Sequence, residues 1–219
     1  PQAVWAIMRS IPHTVLCESF GVRRGMWTVS WFRELLGDSL VQKAKAEGLS
    51  PEEYLDEQAK NAPPGCDGLM TVLDWLANPW EPFKRGVMIG FNAHMDYSYM
   101  YRSILEGIAM TMKNNCDAMR QELGKELKQV LISGGGSNSA VFMQVFADVF
   151  NLPARRNVVN GAASIGAAIN TAVAVGAYKD YDEAVAHMVR VRDVFEPIPE
   201  NVALYEELNS KVYKGLTQY

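Results

Sequence analysis

Residues 130–153 read VLISGGGSNSAVFMQVFADVFNLP. Val130, Leu131 and Ile132 have the composition of a short strand, three glycines follow, and Phe142, Val145, Phe146, Val149 and Phe150 then recur at helical spacing until Asn151, Leu152 and Pro153 stop the helix. A glycine run between a strand and a helix lets backbone N–H groups approach a phosphate or a nucleotide; it is also a plain way to turn a chain. Gly136 is followed by Ser137, Asn138 and Ser139 rather than by a Lys–Ser/Thr pair, so the run is not a Walker A loop.

Downstream, ARRNVV (residues 154–159) reads as a short strand, and GAASIGAAINTAVAVGAY (residues 161–178) as a helix made almost wholly of small residues, which lets neighbouring backbones come close. Residues 180–187 form a further helix, and the tail from Asn201 is amphipathic. Upstream, Tyr101, Ile104, Leu105, Ile108, Met112, Cys116 and Met119 mark a long helix over residues 96–123. Arg102 and Glu106 stand four apart on it and read as a structural ion pair. Gly107 costs about 1 kcal/mol inside a helix, which calls for a close packing contact, and Gly166 has the same reading, with proximity to a nucleotide as the sharper one.

Nearer the start, AVWAIM and HTVLCES read as strands with a turn at residues 10–12, and MWTVSWFRELLG as a helix ending at Gly37. Residues 38–61 are polar and helical, with Ser50 as N-cap, Pro51 in the first turn and Glu52 and Glu53 behind it. NAPPGCDG is a loop, LMTVLDWL is strand-like, and ANPWEPFKRG is irregular. The order of elements predicts an α/β fold, with an α+β start: one central sheet of the early strands, LMTVL, QVLIS and ARRNVV, flanked by the long helix and the two helices that follow the glycine segments.

With 219 residues, 48% of them hydrophobic and 21% charged, the chain has enough apolar material for a true core. A net charge of −4 with scattered Lys and Arg excludes the basic field that nucleic-acid binding needs. Cys17, Cys66 and Cys116 lie far apart with no CxxC pair, which points away from a disulfide framework or zinc site and toward a reducing cytoplasm. No apolar run approaches the ~20 residues of a membrane span. His13, His94 and His187 have no ligand spacing, and Asp67, Asp74 and Asp96 are isolated acids, none assigned as a general base. The chain opens at Pro1 and passes at once into strand-like QAVWAIM, and it is read as part of a longer protein.

Five ordered segments carry a resemblance. The glycine stretch with Gln144, Ala147 and Asp148 in Gln-x-x-Ala-Asp spacing, followed by the small-residue helix, resembles the C-terminal signature of the FGGY carbohydrate kinases. WFRELLG, RGVMIGFN and YRSILEGIAM are similar to that family's Trp-Phe-Arg-Asp, Arg-Gly-x-x-x-Gly and Arg-Ala-x-x-Glu-Gly segments. The resemblance implies an actin-like ATPase fold of ribonuclease-H-like domains with a mixed sheet flanked by helices. Residues 1–219 would be the single nucleotide-side domain of a two-domain kinase, a homodimer being one assembly it allows. ATP with Mg²⁺ would donate a phosphoryl group to a sugar or polyol. The catalytic Asp and most sugar contacts would belong to the missing N-terminal part, so no catalytic residue is assigned in this chain.

By the same resemblance, Gly134, Gly135 and Gly136 would lie along ATP, with Ser139 and Ala140 flanking the adenine; Ser139 has a hydroxyl to offer and Ala140 only packing or backbone contacts. A second nucleotide contact would fall before WFRELLG, where the family usually has glycine at the positions of Met26 and Trp27; here Gly25 stands one residue earlier and Thr28 occupies the small-hydroxyl place. The loop at residues 78–83 aligns with a family loop near the interdomain cleft but lacks its Gly-Glu-Arg. Two other classes stay open: an actin-like module that uses ATP without phosphorylating a sugar, which the absence of an upstream Asp in a Gly-Asp context would favour, and an unrelated Rossmann-type enzyme. Against the latter, no acidic residue ends the strand ARRNVV.

Overall fold

The computed structural model describes residues 4–8, 15–19 and 21–218. The expected turn at residues 10–12, and His13, lie outside the described residues.

Strands β1 (Val4–Met8) and β2 (Val15–Ser19) form an antiparallel pair. Helix α1 (Gly25–Ala46) follows, broken where expected: Gly37 leaves helical geometry at φ 63° and ψ −156°, and the helix then resumes. Helix α2 (Pro51–Ala59) opens on a complete capping box, in which the Ser50 hydroxyl accepts from the Glu53 N–H while the Glu53 carboxylate accepts from the Ser50 N–H. The expected loop is a 3-10 turn (Pro64–Gly68) in which Gly65, Cys66, Asp67 and Gly68 all have positive φ. Strands β3 (Met70–Val72) and β4 (Val87–Ile89) pair antiparallel.

Helix α3 (Tyr97–Leu123) is the expected long helix; the Asp96 carboxylate caps its first turn by accepting from the Ser98 N–H, and left-handed Gly124 ends it. Strand β5 (Val130–Leu131), helix α4 (Ala140–Phe150), strand β6 (Ala154–Asn157), helices α5 (Ala162–Ala174) and α6 (Tyr181–Met188), strand β7 (Val191–Phe195) and helix α7 (Pro199–Leu208) complete the fold. A π turn (Asn209–Tyr213) then leads into a last turn of helix at Lys214–Leu216. Strands β4 and β7 were not foreseen from the sequence.

The mixed α/β class holds, but the strands do not join in one sheet. Hydrogen bonding links β1–β2, β3–β4 and the mixed sheet β5–β6–β7, in which β5 and β6 run parallel and β7 antiparallel. Helix α3 packs against β3 and α4, and α4 in turn packs against β5, β6 and β7, so these helices link the strand groups. The core lies where these helices meet: Phe32, Leu55, Ile104, Leu105, Met143 and Val145 are each at most 1% exposed.

Two glycine expectations part ways. A Cβ on Gly107 would stand 2.4 Å from the Thr71 carbonyl oxygen, the close contact that the helical glycine called for. A Cβ on Gly166 would meet nothing within 4 Å. Helix α5 packs against α6, and only its Ile169 is buried; Ala162, Ala163, Ala167, Ala168 and Ala174 are exposed. Its small residues therefore do not serve close packing among the described residues.

Candidate nucleotide site

The glycine run turns the chain between β5 and α4. Gly134 adopts φ 85° and ψ −172°, a region open to glycine and costly for other residues, and its N–H donates to the Asn160 carbonyl at 2.7 Å. Gly135, Gly136, Ser137 and Asn138 form a 3-10 turn whose first N–H groups, like those of any helix, have no acceptor within it. Gly135 is exposed and has ordinary φ, and a Cβ there would meet nothing within 4 Å.

Gly136 differs. It is buried, and a Cβ on it would stand 3.0 Å from the Phe142 ring and 3.2 Å from the Met26 sulfur. Its missing side chain thus serves packing, and the contact brings the N-terminus of α1 against the glycine turn. The two stretches singled out separately in the sequence are neighbours in space. A third helix start joins them, since Asn160, whose carbonyl holds Gly134, stands two residues before α5, and the Asn160 amide donates to the Asn138 side chain at 3.1 Å. Neither α1 nor α5 has a side-chain cap. Helix N-termini carry partial positive charge, so their convergence on one glycine turn favours an anion.

The hydroxyls expected to serve a ligand are engaged within the protein. Ser139 caps α4 by accepting from the Phe142 N–H at 3.0 Å and donates to the Asp56 carboxylate at 2.9 Å. Thr28 is fully buried and donates to the Arg24 carbonyl at 2.8 Å. Gly25 is buried against Val22, whereas Ala140 is exposed. Asp56 also accepts from the Tyr101 hydroxyl at 2.9 Å, and burial pushes its carboxyl above the usual range against the pull of these donors. Open access at the turn therefore belongs to Gly134, Gly135 and Ala140.

Arg156 holds the glycine turn and Asp148 joins α4 to α7; neither had an assigned role. Arg156 on β6 donates from one guanidinium nitrogen to the carbonyls of Ser137 (2.7 Å) and Asn138 (3.0 Å) and pairs with Asp193 at 2.7 Å. Asp148, in the Gln-x-x-Ala-Asp spacing, is buried and accepts from the Gln144 amide, the Ile198 N–H and the Asn201 amide, all at 2.8 Å. That motif is a latch joining α4 to the start of α7. The only local hint for Arg156 is a charged residue in a four-residue strand; its partners lie 18 and more positions away.

Across the loop that precedes α1, Gly21, Val22 and Arg23 line a cleft of about 400 Å³ whose other walls include Asp74, Trp80 and Lys84. Trp80 is exposed; burial raises the Asp74 carboxyl above its ordinary range, against the pull of Lys84. His94 lies 3.2 Å from Asp67, and His187 stacks on Tyr178.

The model of the FGGY family of carbohydrate kinases, C-terminal domain, matches residues 22–175. The chain belongs to this family. It is 60% identical over 219 residues to the uncharacterized sugar kinase YgcE of Escherichia coli (strain K12), a match that covers all of this chain and 44% of that protein. It is 31% identical over 209 residues to the ribulokinase of Anoxybacillus flavithermus (strain DSM 21510 / WK1), covering 89% of this chain and 37% of that one. The ligand-bound xylulose kinase from Lactobacillus acidophilus shares the fold, with a TM-score of 0.78 at 20% identity over 99% of this chain and 42% of that structure. The chain spans less than half the length of these kinases. The structure gives the Gln144–Asp148 latch and the Arg102–Glu106 pair an architectural purpose.

Proposed function

We propose that this chain is the nucleotide-side domain of a sugar or polyol kinase, which transfers the γ-phosphoryl group of ATP to a substrate hydroxyl. The observation that carries the reading is the meeting of the α1 N-terminus with the glycine turn in a chain of this family. Phosphoryl transfer needs positioning and charge stabilisation more than covalent chemistry from the protein. A turn with exposed Gly135, and helix starts on either side, suits a polyphosphate or nucleoside. On this reading ATP lies along Gly134 and Gly135 and passes Ala140, while Gly25, Thr28, Gly136 and Ser139 support the wall from behind.

Among the described residues, no group of three or more His, Cys, Asp or Glu side chains could hold a metal ion. In this reading Mg²⁺ would accompany the nucleotide phosphates. The acceptor faces the cleft on the other side of residues 21–23, where Trp80 and Asp74 offer an aromatic face and a carboxylate. The partner this reading requires is the N-terminal domain of the same protein, with the catalytic base and most sugar contacts. No helix among the described residues is long and apolar enough to cross a membrane. A cytoplasmic enzyme drawing on cellular ATP is the setting we assign.

The test is ADP formation by the full-length protein with ATP, Mg²⁺ and a panel of pentoses, ketoses and polyols. Turnover with at least one acceptor is expected. ATP binding without turnover on any acceptor would favour the non-kinase module instead. Residues 1–219 alone are expected to phosphorylate no acceptor, and robust turnover by them would refute the assignment of the base to the other domain.

A further inference from the structure

We propose that Arg156 is a positioning residue for the nucleotide, acting through the glycine turn without touching the ligand; this rests on the nucleotide reading above. The turn at Gly135, Gly136, Ser137 and Asn138 exposes two kinds of backbone group with opposite effects on an anion. Its N–H groups attract phosphate, whereas its carbonyl oxygens, wherever they face the ligand, repel it.

Arg156 separates the two. Its side chain is only 9% exposed and reaches from β6 under the turn, where it donates to the carbonyls of Ser137 and Asn138. The same guanidinium pairs with Asp193 on β7 and lies 5.2 Å from the centroid of the Phe195 ring. A planar donor fork held by a carboxylate on one edge and an aromatic face on another has little freedom to turn. The carbonyls of Ser137 and Asn138 are thereby engaged by the guanidinium, while Gly135 at the head of the turn is exposed. Ser137 strengthens the same closure, since its hydroxyl and its N–H both donate to the Gly134 carbonyl, at 2.7 and 3.1 Å.

Lysine cannot replace this arrangement, because one ammonium cannot serve two carbonyls and a carboxylate with fork geometry. Arg156→Lys keeps the charge and can keep the Asp193 ion pair, so it isolates the loss of turn geometry from the loss of charge.

The experiment measures binding of Mg²⁺–ATP by calorimetry to the full-length protein, for wild type, Arg156→Lys, Arg156→Gln, Gly135→Val and Asp148→Asn. The last weakens the α4–α7 latch, away from the turn, and serves as a control of reduced stability. Both Arg156 variants are expected to weaken ATP by about 10- to 100-fold, the range seen when a positioning group is lost. Asp148→Asn is expected to lower Tm at least as much as Arg156→Lys and to leave the ATP Kd within about twofold of wild type. Arg156→Lys within that same margin overturns the proposal, and so does equal weakening by Asp148→Asn, which would make the effect one of general stability. Lost binding in Gly135→Val with unchanged Arg156 variants sinks the clamp alone, whereas full ATP binding in Gly135→Val sinks the nucleotide reading and the clamp with it.

Discussion

Replacing Gly135 with Val in the full-length protein is expected to weaken ATP binding by roughly 10- to 100-fold while leaving the melting temperature without nucleotide nearly unchanged. The size follows from forcing a branched side chain into space a ligand needs, a penalty of about 1–3 kcal/mol by analogy with overpacked sites. The fold tolerates the change for reasons visible around the residue. A Cβ at Gly135 meets nothing within 4 Å, and its φ lies outside the left-handed region. Substitutions at such open positions usually move stability by only about 0.5 kcal/mol. Gly134 would be the wrong choice, since its φ of 85° makes any side chain a folding problem first. Gly136 would be wrong as well, because a side chain there collides with Phe142 and Met26. The paired measurement is ATP affinity and Tm; unchanged affinity, or collapse of the fold, would return the glycines to the role of a turn.

Removing Arg102 is expected to cost about 3–5 kcal/mol, a large share of the roughly 5–15 kcal/mol by which domains are stable. Glu106 is 3% exposed, and one of its oxygens accepts from Arg102 Nε at 2.8 Å, from the Tyr205 hydroxyl at 2.7 Å and from the Gly65 N–H at 3.0 Å. Arg102 also donates to the Ala62 carbonyl at 3.2 Å. The pair thus ties α3 to the left-handed turn at Pro64–Gly68 and to α7. Arg102→Ala leaves a buried carboxylate without its cation, whereas Arg102→Met with Glu106→Leu removes both charges and is expected to be milder than the single change.

The pH dependence gives the sign. Burial pushes the Glu106 carboxyl above its ordinary value, against the pull of Arg102, and losing Arg102 pushes it further. A carboxyl raised in the folded state favours folding while it is protonated in both states and loses that contribution as pH rises above the ordinary Glu value of about 4.3. The Arg102→Ala deficit should therefore be larger at pH 8 than at pH 5 in urea unfolding. A deficit independent of pH, or a double variant worse than the single, would contradict this account of the pair.

Local rules made much of the fold legible. Helix α3 was marked by its apolar period; α2 by Ser50, Pro51 and Glu53; the glycine turn by its place between an apolar run and a helical pattern. Each signal acts within a turn or two of chain, so it survives without knowledge of partners. Strands β4 and β7 escaped because three to five residues give period-2 alternation little room, and their pairing partners are distant in sequence.

The candidate site divides along the same line. Its place on the chain, a glycine turn before a helix, was set by the sequence, as was the pairing of Arg102 with Glu106 four residues on. The tertiary structure alone decided what each group is free to do. It sends the Ser139 hydroxyl to Asp56, 83 residues away, presses Met26 onto Gly136, turns Arg156 under Ser137 and Asn138, and uses Asp148 to hold α7. It also leaves the small-residue face of α5 exposed and pairs in three separate groups the strands that composition alone would have joined. The physical reason is that a hydrogen-bonding group or an apolar face is committed by whatever packs against it, and packing between segments 50 or 100 residues apart leaves no mark on the local spacing of either.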